Sequence, residues 1–455
     1  MVNRLRFSVL AAVIAASLTL AARAEGPRIY AITGARIVTA AGPAIEAGTI
    51  VLRDGFIDAV GATVTAPADA WVIDGKGLTV YPGLIDMGTT AGVDVPRAQP
   101  PQNPATTEEL ERWKRGAILR PHFLAAEHIR TDATDLHKFA AAGITTVLAI
   151  PEGTVIHGQS ALVNVKPPDD EPQIGAPADV RTGLLVVKTP VALHVEFSER
   201  TPGNAYPESL MGVIAFVRQT LLDSQHDRLE QQAYARKAPG VGRPGVDPAL
   251  DALGPALDGK LPVAFRAGLN REIRRALKMA AAFKLDPIIT GGLEADQVSA
   301  EIKAANAHVV YSLDYPTKPK TLAPDADEPV RVLRQRANAP KVPAALDKAG
   351  LTFAFQSAGL KDPKDFVKNA AKAVKEGLPA DAAIRALTIN AARIAGAADR
   401  LGSLEQGKIA NVIVADGDLF AEATKIRHVF VDGRMVRLDD ASGAARGPRP
   451  GRPGY

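Results

Sequence analysis

The chain has 455 residues, 46% of them hydrophobic and 23% charged, which is the composition of a globular protein. It contains no cysteine, which excludes disulfides, thiol nucleophiles, thiolate metal sites and lipid anchoring through cysteine. The formal net charge is +4 and only 5% of residues are aromatic, and no basic stripe with interleaved aromatic residues is present, so nucleic acid is not an expected partner. The length exceeds about 250 residues and predicts one large domain with a smaller one.

Residues 1–24 have the pattern of an export signal peptide. Arg4 and Arg6 precede an almost wholly apolar run over residues 7–20, and the Ala-Arg-Ala sequence at 22–24 fits a cleavage site. The run is short for a membrane span, which needs about 20 residues, but an uncleaved anchor is the alternative interpretation. We therefore expect a periplasmic or secreted protein that is nearly neutral and has no membrane segment after cleavage.

Short strands are predicted near both ends of the chain, because runs rich in Val, Ile and Thr alternate with Asp-Gly turns. They lie at 30–39, 49–54, 56–60, 70–73, 411–415, 426–431 and 435–438. We expect these two pieces, residues 25–84 and 403–439, to form one small composite β-sandwich domain. The tail at 440–455 is mostly Gly, Pro, Arg, Ala and Ser and is predicted to be disordered.

Residues 85–402 alternate strand-like and helix-like stretches, which is typical of βα units in a parallel sheet. Strands are predicted at 143–150, 182–187, 261–265, 287–290, 309–312 and 352–355, and helices at 133–142, 209–222, 270–282, 296–305, 362–376 and 380–395. Seven or eight such units in about 300 residues fit a closed (β/α)8 TIM-like barrel. Three Pro-rich or polar stretches, at 96–104, 237–255 and 315–342, are predicted to be long loops over the barrel mouth.

Three segments in chain order carry a resemblance to a known family. They are Pro82-Gly83-Leu84-Ile85-Asp86 at the end of an apolar run, the stretch from Ala383 to Gly396 leading into Gly402-Ser403-Leu404-Glu405-Gln406-Gly407-Lys408, and the closing strand and hairpin over 409–436. Together they resemble the amidohydrolase superfamily, closest to its imidazolonepropionase-like branch. The resemblance covers nearly the whole mature chain. It implies a barrel with metal-assisted hydrolysis of carbon–nitrogen bonds other than peptide bonds.

In that family zinc or another divalent metal binds to a His-x-His pair on the first barrel strand, to one His on each of the fifth and sixth strands, and to an Asp on the eighth. The matching positions in this chain are Gly88 and Thr90, then Arg266, Gly291 and Ala358. Glycine, threonine and alanine offer no ligand of this kind, and a guanidinium repels a metal cation. The sequence therefore predicts that the family's metal centre is missing and that no metal cofactor is bound.

Four other residues are candidates for binding a ligand. His157 immediately precedes a Gly-Gln-Ser sequence, in a stretch starting at Gly153 that is similar to a family loop over the barrel mouth. Arg266 at a strand end needs an acidic partner, so we expect it to pair internally with Asp86 or Glu294, or else to hold an anionic ligand. Asp86 is interpreted as a structural residue, because the equivalent family residue supports the strand.

Two further patterns are weaker. His194 and Glu196 share one face of a predicted strand, as metal ligands sometimes do, but two solvent-facing residues beside a loop are the preferred interpretation. Ser160 has no Gly-x-Ser-x-Gly elbow with a paired base, so serine hydrolase chemistry is not expected. His428 falls in the predicted C-terminal hairpin and is interpreted as structural.

These observations favour a non-catalytic member of the superfamily that binds a small molecule or a partner. The partner is expected to be a second copy of the chain or a metal-bearing amidohydrolase. The alternative is an active hydrolase of amides or cyclic amides that works through a different site, for instance around Arg266 and His157. The sequence does not choose among substrates.

Overall fold

The structure is a computed structural model that describes residues 29–96, 99–101, 106–130, 134–165, 186–199, 201–203, 206–323, 325–436 and 438. The predicted signal peptide and the predicted disordered tail lie outside these residues. Within them, no helix combines the length and the apolar character that crossing a membrane requires.

The fold is mixed α/β, as the sequence predicted. The strands are β1 Ile29–Ile37, β2 Ile45–Arg53, β3 Phe56–Gly61, β4 Trp71–Asp74, β5 Thr79–Pro82, β6 Leu84–Thr89, β7 Ile144–Ala149, β8 Ile156–Gln159, β9 Ala161–Asn164, β10 Val186–Lys188, β11 Leu193–Glu196, β12 Val263–Ala267, β13 Pro287–Gly291, β14 His308–Ser312, β15 Phe353–Gln356, β16 Val412–Ala415, β17 Ile426–Val431 and β18 Arg434–Met435. The helices are α1 Thr107–Ile118, α2 Thr134–Ala141, α3 Leu210–Ala235, α4 Pro248–Asp251, α5 Gly254–Leu257, α6 Asn270–Phe283, α7 Ser299–Ala304, α8 Val330–Asn338, α9 Val342–Lys348, α10 Lys364–Lys375, α11 Ala380–Leu387 and α12 Ile389–Ile394.

Strands from both ends of the chain pair in one sheet, in the order β18-β17-β16-β5-β1-β2-β3, with β4 parallel to β1. The antiparallel pair β5–β16 connects the two ends, because Thr79 lies opposite Ala415 and Pro82 opposite Val412. The alternating pattern of these strands buries one set of side chains, among them Ile32, Ile50 and Val414. The division into a separate sandwich domain stays a prediction.

The middle of the chain forms two further sheets, with orders β10-β9-β7-β6 and β15-β14-β13-β12-β11-β8. Neighbours from β11 to β15 are parallel, and so are β6 and β7. By contrast, β9 is antiparallel to β7 and β10, and β8 is antiparallel to β11. The βα pattern predicted the parallel strands but not these antiparallel ones, because β8 and β9 follow each other with only Ser160 between them.

Hydrogen bonds connect the outer strands of these two sheets. The backbone N–H of Ala358, just after β15, donates to the carbonyl of Gly88 on β6 at 3.0 Å. Ser160 between β8 and β9 donates from its N–H to the carbonyl of Ala192, and its own carbonyl accepts from Val191. A closed barrel stays a prediction, but these contacts join the sheets at both edges.

Several predicted boundaries differ from the structure. The predicted loops at 237–255 and 315–342 contain α4 and α8, and the helix expected at 209–222 continues to Ala235. The helix expected at 380–395 is interrupted at Thr388, whose backbone leaves the helical region and whose hydroxyl donates to the carbonyl of Ile384. The break falls where helix propensity is low, at the β-branched Thr388 and Ile389 and at Asn390, but the flanking alanines and leucines hid this signal.

Candidate functional site

The five positions that the resemblance assigns to metal ligands lie at or just after the carboxyl ends of strands. Gly88 is the last residue but one of β6, and the exposed Thr90 follows that strand. Arg266 lies on β12 with its side chain 70% exposed. Gly291 ends β13 with φ of 97°, and Ala358 follows β15 with φ of 39°. The positive φ of Gly291 suits a glycine, and both φ values mark a turn of the backbone at the strand end.

The residues at these positions do not fit a divalent metal. Zinc in proteins takes thiolate, imidazole or carboxylate donors, and none of the five side chains supplies one. In the part of the chain that the structure describes, no group of three His, Cys, Asp or Glu residues is placed to hold a metal ion. That the family's metal centre is missing at these strand ends, and that no metal cofactor is bound, both stay predictions.

Asp86 is fully buried and connects β6 to the end of β15. Its Oδ1 accepts from the backbone N–H of Ser357 at 2.8 Å and of Gly88 at 3.1 Å, and its Oδ2 accepts from the hydroxyl of Ser357 at 2.5 Å. Burial raises the pKa of Asp86 to about 7, and the hydrogen bonds from Ser357 and Gly88 oppose that rise. These contacts support the structural interpretation of Asp86, which stabilises the junction of the two sheets.

The space beside Gly88 is filled. A Cβ atom at this position would lie 2.5 Å from Oε1 of Gln356 and 3.1 Å from Cδ1 of Ile150. Gln356, the last residue of β15, is only 5% exposed. The place of the first expected histidine is thus taken by the side chain of Gln356, which no sequence pattern singled out.

Arg266 forms an ion pair with Glu196 of the neighbouring strand. The sequence had instead predicted a pair with Asp86 or Glu294. Its Nη1 lies 3.4 Å from Oε2 of Glu196, because the parallel register places the two residues opposite each other. The same carboxylate oxygen lies 3.7 Å from Nε2 of His157. The structure therefore brings His157 and Arg266 together around Glu196.

Glu294 and Asp86 belong to other contacts. Oε2 of Glu294 accepts from the backbone N–H of Asn270 at 3.0 Å, and its Oε1 accepts from Nε2 of Gln335 at 2.6 Å. Glu294 therefore stabilises the start of α6. The predicted ion pair of Arg266 with Asp86 or Glu294 was wrong. Strand register decides which residues lie opposite each other, and the sequence does not show the register.

The histidines beside Glu196 are buried and neutral. Burial, followed by the positive charges of Arg266 and Arg120, lowers the pKa of His157 to about 4, against a hydrogen bond with the backbone of Pro151. Burial, followed by His157, lowers the pKa of His194 to about 3. The Nε2 atoms of both rings are buried without a hydrogen-bond partner. His194 is thus inside the fold, which corrects the interpretation of it as solvent-facing.

A cleft of about 800 Å³ opens at the carboxyl ends of β11 and β12 and beside the first turns of α6. It is lined by three arginines and three glutamates, together with Gly153, Thr154, Phe197, Ser198 and Leu210; the charged residues are Arg266, Arg271, Arg275, Glu196, Glu199 and Glu272. The sequence singled out only Arg266 and, as part of a pattern, Glu196. One sequence pattern pointed to Arg271 and Arg275. The apolar Ile273 and Leu277 mark the buried side of α6, which places the two arginines on its polar side.

Comparisons with known proteins confirm the superfamily that the sequence resembles, while the imidazolonepropionase-like branch stays a prediction. The amidohydrolase family matches residues 79–436, so the chain belongs to the amidohydrolase family. The chain is 23% identical over 411 residues to Amidohydrolase tasK of Hapsidospora irregularis, and this match covers 86% of the chain but only 40% of that longer protein.

Solved structures show the same fold at low identity. A crystal structure of an amidohydrolase from Thermotoga maritima MSB8 matches 90% of this chain and 99% of its own, with a TM-score of 0.70 and 21% identity. A crystal structure of phenylurea hydrolase B matches 92% of this chain and 99% of its own, with a TM-score of 0.53 and 16% identity. At these identities the likeness concerns the fold and not the substrate.

Proposed function

We propose that this chain is an exported member of the amidohydrolase family, of the imidazolonepropionase-like branch, that binds a small molecule and has no metal-hydrolytic centre of its own. The observation that carries the proposal is the donor set at the strand ends. Two glycines, a threonine, an alanine and an ion-paired arginine occupy the five positions, and Gln356 fills the space beside Gly88. We propose a closed (β/α)8 barrel as the scaffold, which the hydrogen bonds joining both edges of the two sheets support.

The binding site proposed here is the cleft beside β11, β12 and α6. Ligand sites of parallel α/β folds lie at the carboxyl ends of the strands, and this cleft has that location. Its volume suits a small organic molecule. Of the four ligand-binding candidates from the sequence, Arg266 lines the cleft, and His157 lies 3.7 Å from Glu196, which also lines it.

Metal content tests the proposal. The purified protein is incubated with zinc and with manganese, passed through a desalting column and measured by plasma mass spectrometry. We expect well under one equivalent of metal per chain. One tightly bound ion per chain contradicts the proposal, and the double variant His157→Ala with His194→Ala then tells whether the buried imidazoles hold that ion.

A second candidate is hydrolysis of an amide or cyclic amide through His157, without the family's metal. The observation that favours it is the neutral imidazole of His157, with a free Nε2, 3.7 Å from a carboxylate that lines the cleft. A neutral imidazole is the form that a general base requires. Turnover of an amide that His157→Ala abolishes, while His226→Ala on the exposed surface leaves it unchanged, would replace the first proposal by this one.

Export and partners complete the proposal. The apolar run after Arg4 and Arg6 supports secretion into the periplasm or the medium. A second copy of the chain or a metal-bearing amidohydrolase is the proposed partner. Fractionation of the native host followed by identification of co-purified chains tests both points: a cytoplasmic protein contradicts export, and a lone monomer contradicts the partner.

A further inference from the structure

The cleft contains two arginines on one side of α6 whose charges have no ion-pair partner among the described residues. Arg271 is exposed, and Arg275 is half-buried with its guanidinium carbon 6.0 Å from the ring centroid of Phe197. The two residues are four positions apart, so their side chains lie one helical turn apart on the same side of the helix. Like charges at this spacing destabilise a helix, and an anion between them would offset that cost.

Two of the three glutamates that line the cleft, Glu272 and Glu196, have other partners. Oε2 of Glu272 accepts from the backbone N–H groups of Gly268 and Leu269, both at 3.0 Å, and so caps α6. Oε2 of Glu196 lies next to Arg266 and His157. Arg271 and Arg275 are therefore the cationic pair that faces the cleft and is open to a ligand.

The remaining surface of the cleft decides the kind of anion. Phe197 and Leu210 provide an apolar wall beside the two guanidiniums. Glu196 and Glu199 also line the cleft, and their negative charges penalise a dianion more than a monoanion. A planar carboxylate matches the donor geometry of a guanidinium, and an attached apolar group matches the wall.

We propose that the cleft binds an organic monocarboxylate between Arg271 and Arg275, with the apolar part of the ligand against Phe197 and Leu210. This inference rests on the proposed function, since it names the ligand of the same cleft. It depends on side chains and not on the amino terminus of α6, where Glu272 accepts from the N–H groups of Gly268 and Leu269 and Glu294 accepts from that of Asn270.

Calorimetric titration of the full chain tests the inference, with benzoate as the carboxylate, benzamide as its uncharged analogue and inorganic phosphate as a competing anion. We expect benzoate to bind, and benzamide and phosphate to bind at least about tenfold more weakly, since each lacks one part of the match. Equal binding of benzamide, tighter binding of phosphate, or no binding of benzoate overturns the inference.

Variants locate the site. Arg271→Ala with Arg275→Ala should weaken benzoate binding at least about tenfold. Arg274→Ala is the matched control, because Arg274 lies on the same helix but forms an ion pair with Glu301 at 2.9 Å. The affinity of this variant for benzoate should stay within about twofold of that of the unmodified chain. Glu199→Gln should tighten binding about two- to threefold by removing a nearby negative charge. An equal loss in Arg274→Ala would mean nonspecific attraction to a basic helix and overturn the inference.

Two measurements keep the outcomes apart. Thermal unfolding shows whether the double variant is folded, and Arg271→Ala alone, at an exposed residue, replaces it if it is not. Metal content reports on the proposed function independently of benzoate affinity. A metal-loaded chain that still binds benzoate through Arg271 refutes only the proposed function, and a metal-free chain that does not bind benzoate refutes only the carboxylate site.

Discussion

Two regions at the carboxyl ends of the strands differ in how they are filled. At the junction of β6 and β15, Asp86 is buried against Ser357 and the side chain of Gln356 occupies the space beside Gly88. At β11 and β12, by contrast, charged side chains surround a cleft of about 800 Å³. The first region has the packing of a protein core, whereas the second is open and charged. The difference teaches that one scaffold can close some strand ends with packed side chains and leave others open as a charged cleft.

The largest expected effect breaks the buried junction. Asp86→Ala removes the acceptor of three hydrogen bonds and leaves the buried N–H groups of Ser357 and Gly88 unsatisfied. We expect a loss of about 3 kcal/mol or more in the free energy of unfolding, measured by urea denaturation. Asp399→Ala, at an exposed residue, is the control and should change this energy by less than about 0.5 kcal/mol. A small effect of Asp86→Ala would mean that the junction is not a stabilising contact.

Acid should weaken the region around His157 and His194. Both pKa values are lowered in the folded state, to about 4 and about 3, so between these values and 6.5 the unfolded chain binds more protons. The two neutral rings make their whole contribution to the free energy of unfolding above pH 6.5, and this contribution is lost as the pH falls. For each ring we expect the free energy of unfolding to fall by about 2–3 kcal/mol between pH 7 and 4.5, measured by denaturation at each pH.

Asp86 acts in the opposite direction and must be separated. Its pKa is raised to about 7, so its contribution makes the fold more stable as the pH falls from 7 towards the ordinary carboxyl value. His157→Gln tests the histidine contribution, because the acid-dependent loss due to this ring should disappear, together with the part of the lowering of the His194 pKa that His157 causes. An unchanged pH dependence in His157→Gln would contradict a buried, neutral His157.

Restoring a metal ligand should test how tightly the first region is packed. Gly88→His places a Cβ atom 2.5 Å from Oε1 of Gln356, and we expect it to cost about 2 kcal/mol of stability. Adding Gln356→Ala should recover part of that loss. Thr90→His is the matched control at an exposed position and should change stability by less than about 0.5 kcal/mol. A stable Gly88→His variant would show that the space is available after all.

The smallest expected effect concerns the charged pair at the cleft. The side chain of Arg266 is 70% exposed and lies 3.4 Å from Glu196, so Arg266→Gln should change the free energy of unfolding by less than about 1 kcal/mol. The same variant should raise the pKa of His157, because the charge of Arg266 is one cause of its lowering. Titration of the imidazole signals by nuclear magnetic resonance measures this shift, with Arg274→Gln as the control that leaves it in place.

The sequence by itself determined the mixed α/β class, the family and the side chains at the five strand-end positions. Hydrophobic periodicity and short motifs are local, so residues a few positions apart were sufficient to show them. The sequence also placed His157 and Arg266 among the candidates for one site, which the structure brings together around Glu196.

Only the tertiary structure decided which partner each of these residues has. Asp86 meets Ser357 across 271 positions of the chain, and Arg266 meets Glu196 across 70. Strand register sets such pairs, and a shift of one residue would turn each side chain to the other face. Arg271 and Arg275 became notable only when the first turns of α6 were seen to line the same cleft as β11 and β12. The physical reason is that burial and electrostatic interactions depend on distance in space, which local sequence patterns do not specify.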